Sequence, residues 1–263
     1  PTLEMIRNVV GESHARGLPV LLHANSLAAW RFAAQTPVDV IAHGMWNWDE
    51  LEQAAEDLPA PIRVLLDTVV ARRIGFMPTL RVIEGLGAMF DPAFLDDPRL
   101  ARVLPPALIA WYRTTAGQAY AAEMRRGFGS VTDGRIRQIF RGVAQHGASV
   151  TRYLVSRGGR LVFGSDTPSG PTYGNPPGLN GFLELERLAS AGVPLPQLLE
   201  GATIGAARAF HLDSLYGTVE VGKVANLLLL RASPLERVEA YDAIDLVIVR
   251  GQVVDRSTLA AQR

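Results

Sequence analysis

Three short, mainly apolar runs of this sequence end at polar side chains that can do chemistry. Residues 18–22 and 38–42 lead directly into His23 and His43, and residues 161–163 lead through Gly-Ser into Asp166. Short apolar runs of this kind are typical of strands buried on both faces of a parallel sheet. Since parallel strands end on the same side of their sheet, we expect the three polar side chains to converge.

The segments around these runs predict an α/β fold. A fourth short strand is predicted at residues 74–79, and helical patterns occur at 2–16, 26–35 and up to about residue 73. Strands that alternate with helices are typical of a parallel sheet with right-handed crossovers. A chain of 263 residues is long enough for one large domain or two smaller ones.

Two further regions shape the predicted domain organisation. Residues 81–159 have a mostly helical pattern interrupted by prolines, and they are too long for a simple crossover, so we interpret them as an insertion over the sheet. From residue 214 the chain becomes β-rich, with strands predicted in 217–223, 226–230 and 246–254. We therefore predict a barrel-type domain over 1–213 and a small β domain over 214–263.

Composition limits the classes of partner. Lys plus Arg and Asp plus Glu both number 26, which argues against nucleic acid or an anionic membrane surface as the main partner. No apolar run reaches membrane-spanning length, so we expect no membrane partner. Together with the balanced charge, this favours a small-molecule substrate and no nucleic-acid partner. Formation of a homo-oligomer is compatible with the sequence, and so is a location on either side of the cell membrane. Since the chain has no Cys, any metal must bind to His and carboxylate side chains.

The three strand-end residues suit a metal-activated hydrolysis. Two imidazoles and a carboxylate form a donor set for Zn²⁺ or a similar divalent ion, and Asp166 could serve as both ligand and general base. Each residue also has a structural interpretation: His23 and His43 as hydrogen-bonded histidines of the core or surface, and Asp166 as the cap of the next turn. In the stiff loop that follows, Tyr173 and Asn175 are placed to contact a substrate, although Tyr173 could equally be a packing residue.

Several motifs resemble the metal-dependent amidohydrolase superfamily. Leu22-His-Ala, Ile41-Ala-His-Gly44 and Phe163-Gly-Ser-Asp-Thr167 resemble its fifth-, sixth- and eighth-strand motifs. Residues 201–210, 217–227 and 247–251 are similar to its C-terminal signature. The imidazolonepropionase-like and Xaa-Pro dipeptidase-like branch is the most similar.

The resemblance implies strands five to eight of a TIM-like (β/α)₈ barrel together with part of a small β-sandwich. It also implies hydrolysis of carbon–nitrogen bonds with one or two divalent metals, most typically Zn²⁺. By this likeness His23 and His43 would be metal ligands, and Asp166 would be both a ligand and the catalytic base. Two alternatives stay open: a non-catalytic barrel relative that binds a small molecule, and a phosphoester or lactone hydrolase on the same scaffold.

The sequence departs from the family pattern in two respects. The first-strand His-x-His pair and the fourth-strand bridging residue, commonly a carboxylated Lys, have no counterpart here. Asn226 also stands where the family usually has Asp, at a structural position. We therefore expect the chain to be the C-terminal part of a longer protein, and to bind metal weakly and turn over little by itself.

Overall fold

A four-stranded parallel sheet forms the centre of the molecule. The computed structural model describes residues 1–51, 58–259 and 261. The sheet has the strand order β1-β2-β3-β4, and its strands are β1 (Leu21–His23), β2 (Val40–Ala42), β3 (Gly75–Met77) and β4 (Arg160–Leu161). All three neighbouring pairs are parallel, which confirms the predicted α/β class. Each strand is shorter than its predicted run, because only two or three residues of each take part in the regular ladder.

Eleven helices are present among the described residues. Helix α1 (Leu3–His14) precedes β1, α2 (Leu27–Ala33) and α3 (Ala60–Ala71) connect the first three strands, and α4 (Leu80–Ala88) follows β3. The next four precede β4: α5 (Leu100–Val103), α6 (Pro106–Tyr112), α7 (Ala119–Gly127) and α8 (Asp133–Ser156). Three follow it: α9 (Asn180–Ser190), α10 (Leu195–Ala202) and α11 (Ile204–Ala209). Single 3₁₀ turns occur at Phe94–Asp96, Val238–Asp242 and Arg256–Leu259.

Local sequence explains where several helices begin. The hydroxyls of Thr2, Ser26 and Thr132 accept backbone N–H bonds from the first turns of α1, α2 and α8. Helices α3, α6 and α10 instead have a proline among their first two residues, where its fixed φ suits the first turn. Residues 52–57, which belong to the predicted helical stretch up to residue 73, lie outside the described residues.

The main core packs helices against the parallel sheet. Its largest fully buried side chains include Trp30 of α2, Ile41 of β2, Leu66 of α3 and Leu154 of α8. Helix α8 contacts α3, α4 and β4, so the last part of the predicted insertion covers the sheet. A second cluster, which includes Leu95, Leu100 and Tyr173, joins the 89–121 region to the loop that follows β4.

A separate antiparallel sheet follows the helices. It consists of β5 (Leu227–Leu230), β6 (Ile244–Val249) and β7 (Gln252–Val254), in that order. The predicted strand at 217–223 is wrong: this segment forms turns and coil, and Val219 and Val221 are exposed. The predicted single helix over 195–210 is interrupted at Thr203, whose φ of −131° and ψ of −102° separate α10 from α11. In the described part of the chain no helix combines the length and apolar character that a membrane span requires.

Candidate active site

The predicted site residues follow the carboxyl ends of neighbouring parallel strands. In the sheet register His23 of β1 stands opposite Ala42 of β2, and Ala42 stands opposite Met77 of β3. The ladder continues past the strands, because the His43 N–H donates to the Met77 carbonyl over 2.8 Å. His23, His43 and the end of β3 therefore lie at one edge of the sheet.

The two histidine rings meet at this edge. The ring centroids of His23 and His43 lie 4.5 Å apart, with an angle of 72° between the ring planes. His43 is only 8% exposed, and its ring also contacts Trp46 at a centroid distance of 5.0 Å. His23 lies on the edge strand β1 and is exposed. The pair thus presents one buried and one accessible imidazole.

Thr79, which follows β3, holds the buried ring. Its Oγ1 lies 2.8 Å from Nδ1 of His43. A second hydrogen-bond partner on one ring nitrogen is the usual way in which a metal-binding imidazole is oriented, since it fixes which nitrogen carries the proton. Nε2 is then the nitrogen of His43 that can bind a ligand.

The surroundings of His43 favour its neutral form. Burial is the main cause that lowers the pKa of this imidazole, and the neighbouring His23 lowers it further. The carboxylate of Asp166 acts in the opposite direction and raises the pKa. A neutral imidazole is the form that coordinates a metal.

Asp166 lies beyond β4 at the same end of the sheet. Its carboxylate is exposed, and it is close enough to act electrostatically on His43. Asn180, the first residue of α9, holds the two neighbours of Asp166. It donates to the Ser165 carbonyl over 3.0 Å and to the side-chain Oγ1 of Thr167 over 2.7 Å. Asn180 is fully buried.

The three predicted ligands do not share a finished coordination geometry. Across residues 1–51, 58–259 and 261, no three His, Asp or Glu side chains are arranged so that they could hold one metal ion. The structure brings His23 and His43 into contact and leaves Asp166 as a neighbour. The donor chemistry of two imidazoles and a carboxylate still fits a borderline divalent ion such as Zn²⁺.

The strand ends share an unusual backbone conformation. His43, Thr79 and Asp166 have φ values of +76°, +47° and +49°, in the left-handed region that non-glycine residues rarely adopt. Such residues cluster at functional sites, where the surrounding structure holds them in place.

Tyr173 and Asn175, the two predicted substrate contacts, are buried against the helices next to their loop. Tyr173 donates its hydroxyl to the Met89 carbonyl over 2.9 Å, and its hydroxyl oxygen lies 3.0 Å from Oε1 of Gln118. Asn175 is fully buried and donates to the Val82 carbonyl over 3.0 Å. These bonds attach the loop to α4 and to the helical region before β4, and substrate contact by either residue stays a prediction.

Sequence reasoning missed the residues that support the site. Thr79, Asn180 and Glu184 make contacts with partners 13 to 104 residues away, and such pairings leave no mark in local periodicity. Thr79 alone had a recognisable position, because it ends a predicted strand as His43 does.

The comparisons with known proteins agree with this geometry. The model of the amidohydrolase family matches residues 116–254, more than half of the chain. No curated protein sequence matches the chain.

Solved structures share the fold over essentially the whole chain. A protein from Bifidobacterium longum, provisionally identified as a prolidase, is 25% identical with a TM-score of 0.64, over 100% of this chain and 52% of its own. A Xaa-Pro dipeptidase with bound methionine is 18% identical with a TM-score of 0.63, over 97% of this chain and 49% of its own. A prolidase complexed with N-methylphosphonate-L-proline is 21% identical with a TM-score of 0.62, over 97% of this chain and 49% of its own.

The chain thus spans about half the length of these structures. Its four parallel strands and separate antiparallel sheet confirm the predicted partial barrel with part of a small β domain. Because the model of the family matches more than half of the chain, the chain belongs to the amidohydrolase family.

Proposed function

We propose that this chain forms one half of the active site of a metal-dependent hydrolase that cleaves carbon–nitrogen bonds. The observation that carries this proposal is the contact between His23 and His43 at the carboxyl ends of adjacent parallel strands. That end of such a sheet is where barrel enzymes place their chemistry. The negative charge of Asp166 acts on the same imidazole.

The residues that would hold the ion are His23, His43 and Asp166. A bound divalent ion such as Zn²⁺ supplies Lewis-acid activation of water and of the scissile carbonyl near neutral pH. The neutral imidazole of His43 would bind the ion through Nε2, because Thr79 contacts Nδ1. Asp166, exposed beside the pair, accepts a proton from the attacking water at its carboxylate and returns it to the leaving nitrogen.

We further propose that additional strands complete both the barrel and the site. Among the described strands β1 pairs only with β2, and β4 pairs only with β3, so the sheet has two open edges. Leu21 on β1 is 40% exposed, although a barrel strand is normally covered by its neighbours. Strands added at β1 would bury Leu21 and bring further donors to His23.

The proposed substrates are dipeptides ending in proline. This proposal is supported by the prolidase and Xaa-Pro dipeptidase structures that share the fold. The pocket that selects among them would combine the open face beside His23 with the complementary strands. Phosphoesters and lactones are the competing substrates, against which the amides should be compared.

Replacing the proposed base tests the chemistry. In a protein that contains the complementary strands, Asp166→Asn is expected to reduce kcat/KM for the best amide substrate by about 10²–10⁴-fold, because the proton acceptor is lost. Asp213→Asn is the matched control, since Asp213 is also exposed but follows α11 far along the chain. The panel should include Xaa-Pro dipeptides, N-acyl amino acids, cyclic ureides, lactones and phosphoesters.

The zinc content of the same proteins tests the ligands. We expect His23→Ala and His43→Ala to lower bound zinc, and the isolated 263-residue chain to bind less zinc than the completed protein. Unchanged activity in Asp166→Asn would remove the proposed base. Hydrolysis confined to phosphoesters or lactones would replace the substrate class, and ligand binding without any turnover would establish the non-catalytic alternative.

A further inference from the structure

Thr79 occupies a helix N-cap position without capping its helix. It directly precedes α4, yet its side chain accepts no bond from the first turn, and its φ and ψ are +47° and +48°. Thr2 and Thr132 show the ordinary arrangement, with extended backbone and a hydroxyl that accepts an N–H bond from the helix. The Thr79 hydroxyl is instead directed to Nδ1 of His43 at 2.8 Å.

Glu184 supplies the missing cap from another helix. Its Oε1 accepts the Leu80 N–H over 2.9 Å, and its Oε2 accepts the Arg81 N–H over 2.6 Å. These are the first two residues of α4, whereas Glu184 belongs to α9, more than one hundred residues further along the chain. A carboxylate at a helix N-terminus satisfies free amides and interacts favourably with the helix dipole.

The position of Glu184 is not explained by an ion pair. Its side chain is 0% exposed, and burial of a carboxyl group is costly unless hydrogen bonds compensate for the lost water. The nearby Arg187 pairs with Glu84 at 2.6 Å, and Arg81 donates from Nη2 to the Gly174 carbonyl over 3.2 Å. Within the described residues, the hydrogen bonds that Glu184 makes through its side chain are the two to α4.

We propose that Glu184 is a positioning residue for His43: by capping α4 from α9, it leaves the Thr79 hydroxyl available to fix the orientation and tautomer of the imidazole. The inference rests on the proposed function, because only a ligand role gives the tautomer of His43 a purpose. When Oγ1 of Thr79 accepts a hydrogen bond from the Nδ1–H of His43, Nε2 of His43 keeps the lone pair that a metal ion requires. If the cap is weakened, the amides of α4 compete for the same hydroxyl.

The tautomer of His43 can be measured on the chain without metal or substrate. Long-range ¹H–¹⁵N NMR spectra of the histidine rings identify which nitrogen carries the proton. For the unaltered chain we expect His43 to be protonated at Nδ1 alone. Thr79→Val removes the hydroxyl and should shift the two ring nitrogens toward an averaged, mixed-tautomer value. Thr79→Ser keeps the hydroxyl and should restore the original spectrum.

Glu184→Gln tests the step that involves the second helix. Above about pH 8, where Glu184 is ionised, both of its oxygens accept; glutamine keeps one acceptor for the Leu80 N–H but presents an amide N–H₂ to the Arg81 N–H, so one cap bond is lost. We expect its His43 resonances to shift in the same direction as those of Thr79→Val, and both variants to bind Zn²⁺ about 10–100-fold more weakly. Thr151→Val is the matched control, because this buried hydroxyl bonds within α8 to the Gly147 carbonyl over 2.8 Å. It should leave His43 unchanged.

The outcomes separate this inference from the proposed function. Unaltered His43 resonances in Glu184→Gln would overturn the positioning role, whatever the enzyme hydrolyses. Shifted resonances in Thr151→Val would also overturn it, since any loss of a buried hydroxyl would then suffice. An Nδ1-protonated His43 that depends on Thr79 and Glu184 supports the inference even if the panel of amides shows no turnover, in which case the proposed function alone fails.

Discussion

The parallel sheet and the small antiparallel sheet differ in how completely their strands are covered. All three residues of β2 are buried, and helices pack around the sheet that contains it. In β5 the two central residues, Leu228 and Leu229, are each 55% exposed. Both strands are apolar in sequence, so hydrophobicity alone does not distinguish them.

The difference shows that the position of a strand in the fold decides how much its apolar side chains contribute. In β2 the burial of Val40 and Ile41 removes apolar surface from water, at about 25 cal/mol for each Å². Three uncovered antiparallel strands gain little in this way, and Val249 and Val253 are as accessible as the leucines of β5. We therefore expect the parallel sheet to dominate stability and to carry the site.

The largest expected effect is loss of a core side chain beside the parallel sheet. Trp30 is 1% exposed and donates from Nε1 to the Ala24 carbonyl over 2.9 Å. Trp30→Ala should lower the free energy of unfolding by about 3–5 kcal/mol, because it leaves a cavity and an unpaired carbonyl. Leu228→Ala in β5 should cost less than about 1 kcal/mol. Urea denaturation measures the loss of unfolding free energy in each variant. Equal losses would contradict the difference between the two sheets.

The strongest pH dependence of stability is expected in the parallel-sheet region. Burial raises the pKa of the Glu184 carboxyl from 4.5 to about 8, against the opposing effect of the hydrogen bonds from Arg81 and Leu80. Between these two pH values the folded state holds a proton that the unfolded state has released. The free energy of unfolding should therefore fall, by a few kcal/mol, as pH rises from about 4.5 to about 8.

The glutamine of Glu184→Gln cannot ionise, so this variant lacks that loss. The unaltered chain should therefore lose stability relative to the variant as pH rises over the same range. Asp245→Asn serves as the control in the small sheet, where Asp245 forms an exposed ion pair with Arg231 at 3.0 Å. Its effect should stay below about 1 kcal/mol at both pH 5 and pH 8. A constant difference for Glu184→Gln would mean that Glu184 does not change its protonation in this range.

Smaller effects than that of Trp30→Ala are expected at two glycines with different constraints. A methyl group on Gly85 of α4 would overlap Oδ1 of Asn175 and lie 2.7 Å from the Gly174 carbonyl oxygen. Gly85→Ala should therefore cost about 1–3 kcal/mol through steric overlap. Gly251, in the turn between β6 and β7, has open space around it but a φ of +81°. Gly251→Ala should cost about 1 kcal/mol through backbone strain alone. Thermal unfolding compares the two, and a greater loss for Gly251→Ala would reverse the expected order.

Much of the fold could be predicted from the sequence because the parallel strands carry strong local patterns. Apolar runs flanked by helical periodicity locate β1 to β4, and the shared polarity of parallel strands predicts the meeting of His23 and His43. The segment 217–223 has alternating valines but no partner strand among the described residues, which explains why its predicted strand does not form.

The supporting contacts of the site could not be predicted in the same way. The cap of α4 by Glu184 joins residues more than one hundred positions apart, and a glutamate within a helix is normally interpreted as a solvent-exposed residue. Asn175 and Tyr173 follow a strand end, where loops usually face ligands, and their hydrogen bonds to the Val82 and Met89 carbonyls also join this loop to the helices. These assignments depend on tertiary contacts rather than on local sequence.

The left-handed backbone at His43, Thr79 and Asp166 has a consequence for how this protein can change. At each of these positions glycine would relax the main chain but remove a side chain of the proposed site. His43 and Thr79 are buried, so their truncation would also leave a cavity, whereas Asp166 is exposed. Selection for heat resistance without a screen for activity would therefore favour glycine at Asp166 first, and would discard the proposed base.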